Sequence, residues 1–478
     1  MEHSATQGRV VQAPADKVGR RAWQTLYITS VSMFLVAMDV TIVSVALPGI
    51  KASFDEPASM LSWVFTAYNI TFAALLLLAG KLGDRWGRKR AFVTGLLVFA
   101  GASLVAATAP SAAILIVARV VQAVGSALIY PASLALLLVE FPASRRSMAI
   151  GIWGGIAGLG GAIAPTLGAL LVEWAGWRWV FLINVPFVTV AVIAGLAILR
   201  ETYGDGTDDG FDPVAVPVAA LAIGLLVLGV VQGQPWGWAD PRIIACFVVS
   251  ALLLPWFVIR SLHHPEPLLD LDLFRYRSFT VANIAQGLFV GSSFGWLVLM
   301  PSFFVDVWGW SPLAAGFGLA PSAVIAAALS PIAGRVADRI GHRELVVVGA
   351  LLGALGLLWW VLTVDSRANY AVSILPGMAL VGLGTTAGFA TLTAAIMRDV
   401  PPRYYSMAGA ARSTIFQLAS AIGIAVAVAV VDSGGGGGTL VGPYRNVWIL
   451  ATVASFLVAV VMAMFFPRRR AASIDDPS

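Results

Sequence analysis

Asp39 and Arg119 are the residues of this chain best placed to do chemistry, because each interrupts a long apolar run. A carboxylate near the middle of a bilayer costs roughly 2.5–3.5 kcal/mol on insertion scales, so it persists where its charge is used. The chemistry open to it there is binding and releasing a proton or cation. The proton affinity of a buried carboxyl depends on whether a guanidinium lies beside it, so a pair whose separation changes with conformation can pass a proton across. The competing reading is that Arg119 reaches out to the interface while Asp39 hydrogen-bonds a neighbouring helix.

The elements that hold such a pair must be spanning helices. The chain has 478 residues, 59% hydrophobic and only 12% charged. A soluble domain carries about 25% charged residues, so lipid must be the solvent. The apolar runs give fourteen candidate spans, near 23–47, 60–79, 91–109, 113–138, 147–172, 178–199, 213–232, 242–260, 279–304, 312–333, 343–363, 372–396, 406–431 and 444–466. With both termini on the cytoplasmic side, 23 of the 30 Lys and Arg fall on that side. Five fall on the other, and Arg119 and Arg412 fall within spans. That asymmetry fits the positive-inside rule and an even number of helices. The first apolar run follows a polar stretch, contains Asp39 and has no obvious cleavage site, so it reads as a first span and not as a removable leader.

Residues 80–90, GKLGDRWGRKR, and 334–344, GRVADRIGHRE, share the pattern G-x-x-x-D-R-x-G, 254 residues apart. The same shift carries the first span onto the ninth. The expected organisation is therefore an all-α polytopic membrane protein built of two six-helix pseudo-repeat bundles plus two inserted helices. Its parts are a cytoplasmic tail (1–22), a first bundle (23–199), a linker with two inserted spans (200–278), a second bundle (279–466) and a second tail (467–478). Duplicated halves around a midplane site are a recurrent transporter architecture.

Each motif has a physical reading. In the first repeat loop Gly80, Gly83 and Gly87 permit a tight turn and close helix approach, and Asp84 can cap a helix or pair with Arg85 or Arg88. Asp338 and Arg339 repeat the arrangement. Such a cluster can latch one side of the molecule, or serve only as a topology signal. The fifth span carries Gly154, Gly158, Gly161 and Gly168 with Pro165, a small face that lets helices approach and a residue that can kink the helix. Residues near 314–320 offer a partner surface. Polar or aromatic residues inside spans, Tyr68, Asn69, Gln122, Tyr130, Asn283, Gln286 and Trp296, are candidates to line a substrate cavity or to act as structural glue.

Other classes are excluded or disfavoured. There is no phosphate-binding loop for ATP, no zinc-protease motif and no pair of intramembrane catalytic carboxylates, so an enzyme is not expected. The single cysteine, Cys246, rules out an intrachain disulfide, the four histidines lack ligand spacing, and no basic patch points to nucleic acid. No cofactor or metal is expected.

The sequence Met38 to Pro48, MDVTIVSVALP, the loop at Gly80–Arg90, Arg119-Val120-Val121-Gln122 and the glycine run Gly151–Gly168 resemble the major facilitator superfamily, in particular its fourteen-helix drug:proton antiporter branch. Trp177 to Pro186, WRWVFLINVP, fits the same resemblance. It departs at Ser44, Ala123 and Ala164, and at Phe416-Gln417, where Arg-Gln is expected and a second buried arginine is lost. The resemblance implies that the first and fourth spans line a central cavity. It also implies proton-driven antiport of amphipathic or cationic drug-like compounds out of a bacterial cell, through the plasma membrane, by a monomer whose partners are lipid, protons and substrate. Export of one endogenous metabolite or lipid, and a transport-inactive sensor or scaffold, are the alternatives.

Overall fold

The computed structural model describes residues 18–54, 56–204, 212, 214–264, 267–433 and 441–467. Most of both polar tails (1–17 and 468–478) and of the acidic linker (205–211) lie outside the described residues. Fourteen long helices follow in order among those described. They are α1 (Arg20–Phe54), α2 (Trp63–Trp86), α3 (Arg88–Ala107), α4 (Ala112–Glu140), α5 (Arg146–Ala175), α6 (Asn184–Ile198) and α7 (Ala215–Trp236). Then come α8 (Pro241–His263), α9 (Arg277–Asp306), α10 (Ala320–Ile340), α11 (His342–Thr363), α12 (Leu375–Met397), α13 (Tyr405–Ser433) and α14 (Gly442–Phe465). Twelve are long and apolar enough to cross a membrane unbroken, and the count reaches fourteen if each of two bent helices is one span. In lipid a helix is the one open-chain structure that satisfies its own backbone, which is why apolar runs of this length fold this way.

The bends have local causes. One helix turns by 43° between Gly161 and Thr166, a stretch that contains Pro165, and the other by 54° between Ser330 and Ile332, around Pro331. Proline lacks the N–H that would continue the ladder.

α1 packs on α5, α3 on α4 and α2 on α4, while α9 packs on α13 and α14, and α11 on α12 and α14. The two sets meet where α5 lies along α10 and α13 along α2 and α4. The extra pair has a definite place: α7 packs on α8, and also on α2 and α13, so it covers one edge of that meeting surface.

Both described ends of the chain lie at the end of the molecule that carries the two repeat loops. The basic side chains there do more than mark topology. Arg21 donates to Ile198 O at 2.9 Å, Lys89 to Leu196 O at 2.8 Å, Arg277 to Phe465 O at 2.8 Å and Arg398 to Pro467 O at 3.0 Å. Cations at helix C-termini satisfy orphan carbonyls and complement the helix dipole.

Candidate functional site

Asp39 is completely buried. Its Oδ2 accepts from Arg119 Nη1 at 2.5 Å, and its Oδ1 from Gln122 Nε2 at 2.8 Å and Asn184 Nδ2 at 3.0 Å. Arg119 and Gln122 are one turn apart on α4, so both side chains leave the same face. The network is closed further out. Arg119 Nη1 donates to Gln122 Oε1 at 2.6 Å, its Nε donates to Val64 O at 3.1 Å, and its guanidinium sits 4.2 Å from the centre of the Tyr68 ring. Gln122 Nε2 also reaches Ser103 Oγ at 2.9 Å, and the Tyr68 hydroxyl donates to Ser126 at 2.8 Å. Every member belongs to α1–α4 or α6. The carboxylate therefore faces the interior of the first helix set, while α4 itself also borders the second set through Tyr130. The cause is the angular position of Asp39 on α1: Thr41, two residues on, lies against Gly161 O of α5 at 3.4 Å, on the other side of the helix. Tyr68 and Gln122, expected in a substrate cavity, belong to this cage.

The repeat loops form a second cluster with its own symmetry. Asp84 accepts from Arg88 at 2.7 Å and 2.9 Å, and from the backbone N–H of Met407 at 2.9 Å and of Ser406 at 3.4 Å, which open α13. Arg88 also donates to Pro402 O at 2.6 Å. Asp338 accepts from Met148 N at 3.1 Å, in the first turn of α5, and His342 meets Ser147 Oγ at 2.8 Å. Each aspartate thus caps the N-terminus of a helix from the opposite set, where a carboxylate is favoured by the free N–H groups and the dipole. His342 stands in the second copy where Arg88 stands in the first.

Glycine allows the approach. A Cβ on Gly80 would lie 2.4 Å from Ala410 Cβ, and one on Gly334 2.6 Å from Ser147 O. Gly87 and Gly341 turn the chain between helices with φ of 115° and 109°. Asp84 pairs with Arg88. Arg85 and Arg339 lie in the same loops.

Contacts between the two helix sets include that of Arg412 with the Tyr130 hydroxyl at 3.3 Å. On α5, a Cβ added at Gly154, Gly158 or Gly161 would meet nothing within 4 Å, whereas one on Gly151 would lie against Ser330 and Gly334 of α10, and one on Gly168 against Ile42. The surface that α5 meets is therefore the middle and basic end of α10, not residues 314–320.

The other expected cavity residues divide. Trp296 is a core side chain, its ring 5.1 Å from Trp360. Asn283 is buried and donates back to Phe279 O at 2.8 Å. Asn69 is half-buried on α2. Tyr130 and Gln286 come together at Arg412, whose guanidinium lies 3.3 Å and 3.4 Å from them. A second buried arginine is thus present after all, one turn before Phe416. Ser103, Asn184 and Arg412 were not singled out in advance; a polar residue within an apolar span was the available signal for all three.

A family model described as the Major Facilitator Superfamily matches residues 29–264 and 282–478. The chain belongs to this superfamily. It is 33% identical over 417 residues to the tetracenomycin C resistance and export protein of Streptomyces glaucescens, covering 87% of this chain and 77% of that one. It is 32% identical over 403 residues to the multidrug resistance protein Stp of Mycobacterium tuberculosis, covering 84% and 74%. The riboflavin transporter RibZ of Clostridioides difficile is 26% identical over 95% of this chain and all of its own. Among solved structures, the human organic anion transporter MFSD10 shares the fold with a TM-score of 0.68 at 15% identity, over 92% of this chain and 99% of that one. The chain is thus a multi-pass membrane transporter and not an enzyme, related to drug-resistance and export proteins.

Proposed function

We propose that this transporter is a proton-coupled antiporter of the fourteen-helix drug-export branch, set in a bacterial plasma membrane with its basic end in the cytoplasm. It exports amphipathic drug-like compounds by alternating access. The observation that carries this reading is the Asp39–Arg119 pair, a carboxylate and a guanidinium sealed from water inside one helix set. An ion pair of this kind costs several kcal/mol of desolvation per ion, and its removal to apolar residues would be tolerated by the fold. Proton coupling gives it a purpose.

In this reading the described state is closed toward the cytoplasm. Asp84 and Asp338 hold the fifth helix of the opposite set, and the Gly154–Gly161 face of α5 is the surface that closes when the molecule rocks the other way. Protonation of Asp39 releases Arg119, and because Arg119 lies against the Tyr68 ring and Tyr68 stacks on Phe72, the change reaches the seam between the sets. Export from the cell is supported by the names of the resistance relatives.

The test is reconstitution in vesicles with an imposed pH gradient. A fluorescent amphipathic dye should move against its own gradient, with protons moving the opposite way. Dye movement without proton movement removes the coupling. No movement of either, from folded protein, favours the sensor or scaffold reading.

A further inference from the structure

Arg412 is the one strongly buried cation among the described residues whose needs the fold leaves largely unmet. It is only 4% exposed. Its Nη1 lies 3.4 Å from Gln286 Oε1 and its Nη2 3.3 Å from the Tyr130 hydroxyl, both long, and its Nε has no hydrogen-bond partner. Arg119, by contrast, has a carboxylate at 2.5 Å, an amide oxygen at 2.6 Å and a backbone carbonyl at 3.1 Å. None of the ion pairs among the described residues includes Arg412. A guanidinium carries five donors in a planar fork that matches a carboxylate, and a buried charge without a counter-ion is costly.

Its position gives that fork an occupant. Arg412 comes from α13, Gln286 from α9 and Tyr130 from α4, so it sits on the seam between the two helix sets. Aromatic rings surround the spot on both sides. Tyr130 meets Trp153 at 5.8 Å and Phe72 at 5.9 Å, and Phe416, one turn beyond Arg412, meets Phe294 at 5.6 Å and Phe389 at 6.0 Å. Asp39 is already engaged by Arg119, so it does not offer a free negative charge to a cationic substrate.

We propose that Arg412 is the specificity-determining contact for an anionic group, a carboxylate or phenolate, on the aromatic compound this transporter carries. The inference rests on the export reading and narrows its substrate class from amphipathic drug-like compounds to organic anions. Tyr130 covers the guanidinium while the basic end is closed. When the two sets part at that end, the Tyr130 contact is broken and the fork turns to the entering anion. Gln286 stays beside it, because it belongs to the same helix set as Arg412 and is tied to the Arg412 carbonyl at 3.1 Å.

The test compares two dyes with the same ring body and opposite charge, fluorescein and rhodamine 6G, bound to the purified full-length protein in detergent. The wild-type protein should bind fluorescein at least ten-fold more tightly than rhodamine 6G. Arg412→Gln should weaken fluorescein by ten-fold or more and leave rhodamine 6G within two-fold, at an unchanged melting temperature. Arg412→Lys, which keeps the charge and loses the fork, should fall between and stands in if the glutamine variant does not fold. Equal loss of both dyes, or no loss of fluorescein, overturns the proposal. So does wild-type protein that moves rhodamine 6G under a pH gradient yet does not bind fluorescein, and that result leaves export standing. Folded wild-type protein that moves neither dye removes the export reading and this inference with it.

Discussion

Asp39→Asn separates what the buried pair does for the fold from what it does for transport. The two oxygens of Asp39 accept from three donors, Arg119 Nη1, Gln122 Nε2 and Asn184 Nδ2. Asparagine keeps the shape and one acceptor oxygen, and places two N–H groups where an acceptor stood. One amide nitrogen then faces a donor, and Arg119 is left as a buried charge without a counter-ion. Breaking such a pair from one side costs about 3–5 kcal/mol. The double variant Asp39→Asn/Arg119→Gln removes both charges and should recover most of that loss, so the coupling energy in the cycle should lie at or above the upper end of the usual range, about 3 kcal/mol. Thermal or denaturant unfolding in detergent measures it. The same four proteins, reconstituted with an imposed pH gradient, give the functional half. The expected result is a stable double variant that no longer couples dye movement to protons. A double variant that regains full gradient-driven export would refute the coupling role. Single variants that cost less than about 0.5 kcal/mol would refute the burial argument itself.

The remaining predictions concern the basic end and the inserted pair. Asp84→Asn removes the charge on which two backbone N–H groups and Arg88 converge, and should weaken closure at that end by about 1–3 kcal/mol, read as faster labelling of a cysteine placed at Ala410 in a Cys246→Ser background. Gly80→Val should block the same closure through the clash with Ala410 and reduce transport without affecting membrane insertion. His342→Arg should strengthen the second latch by placing there the five-donor guanidinium that Arg88 supplies in the first, raising the melting temperature and slowing turnover. Arg260 holds the Asp212 carboxyl from its ordinary 3.8 down to about 2 by hydrogen bonding. The folded-state value is depressed, so this tie stabilises the α7–α8 pair fully above about pH 4 and loses its effect as pH falls toward 2; Arg260→Gln should abolish that step in hydrogen exchange of α7.

How far the sequence could be read depended on what each signal measures. Apolar run length reports burial in lipid, and so twelve of the expected spans correspond to unbroken apolar helices, while the fifth and tenth correspond to bent ones; the tenth runs Ala320–Ile340 where 312–333 was expected, because Pro312–Phe317 forms a short helix of its own. The repeat loops were legible because their glycines and aspartates meet backbone, which needs residue types and not partners. Side-chain facing was not legible. Asp39 and Thr41 are two residues apart, about 200° around the helix, and only packing decides which of them looks toward α4 and which toward α5. Arg412 was counted as an intramembrane arginine, but its want of a counter-ion depends on three helices that no local pattern relates. Trp296 reads the same in a cavity as in a core until Trp360 is placed against it.

The two halves use one device twice, with one difference that bears on mechanism. Gly80 and Gly334 each press on the fifth helix of the opposite set, and Asp84 and Asp338 each cap that helix. Beside the first cap stands Arg88, whose charge is fixed, bonded to Asp84, Ser406 and Pro402. Beside the second stands His342, bonded to Ser147. A symmetric pair of fixed latches would release together. Here the first is tied by a guanidinium with five donors and is built to act as the hinge, and the second, tied by an imidazole with two ring nitrogens, is the side that opens first. That order predicts that labelling at Gly334 leads labelling at Gly80 when substrate is added from the basic end, and simultaneous labelling would show that the difference between the two copies is without consequence.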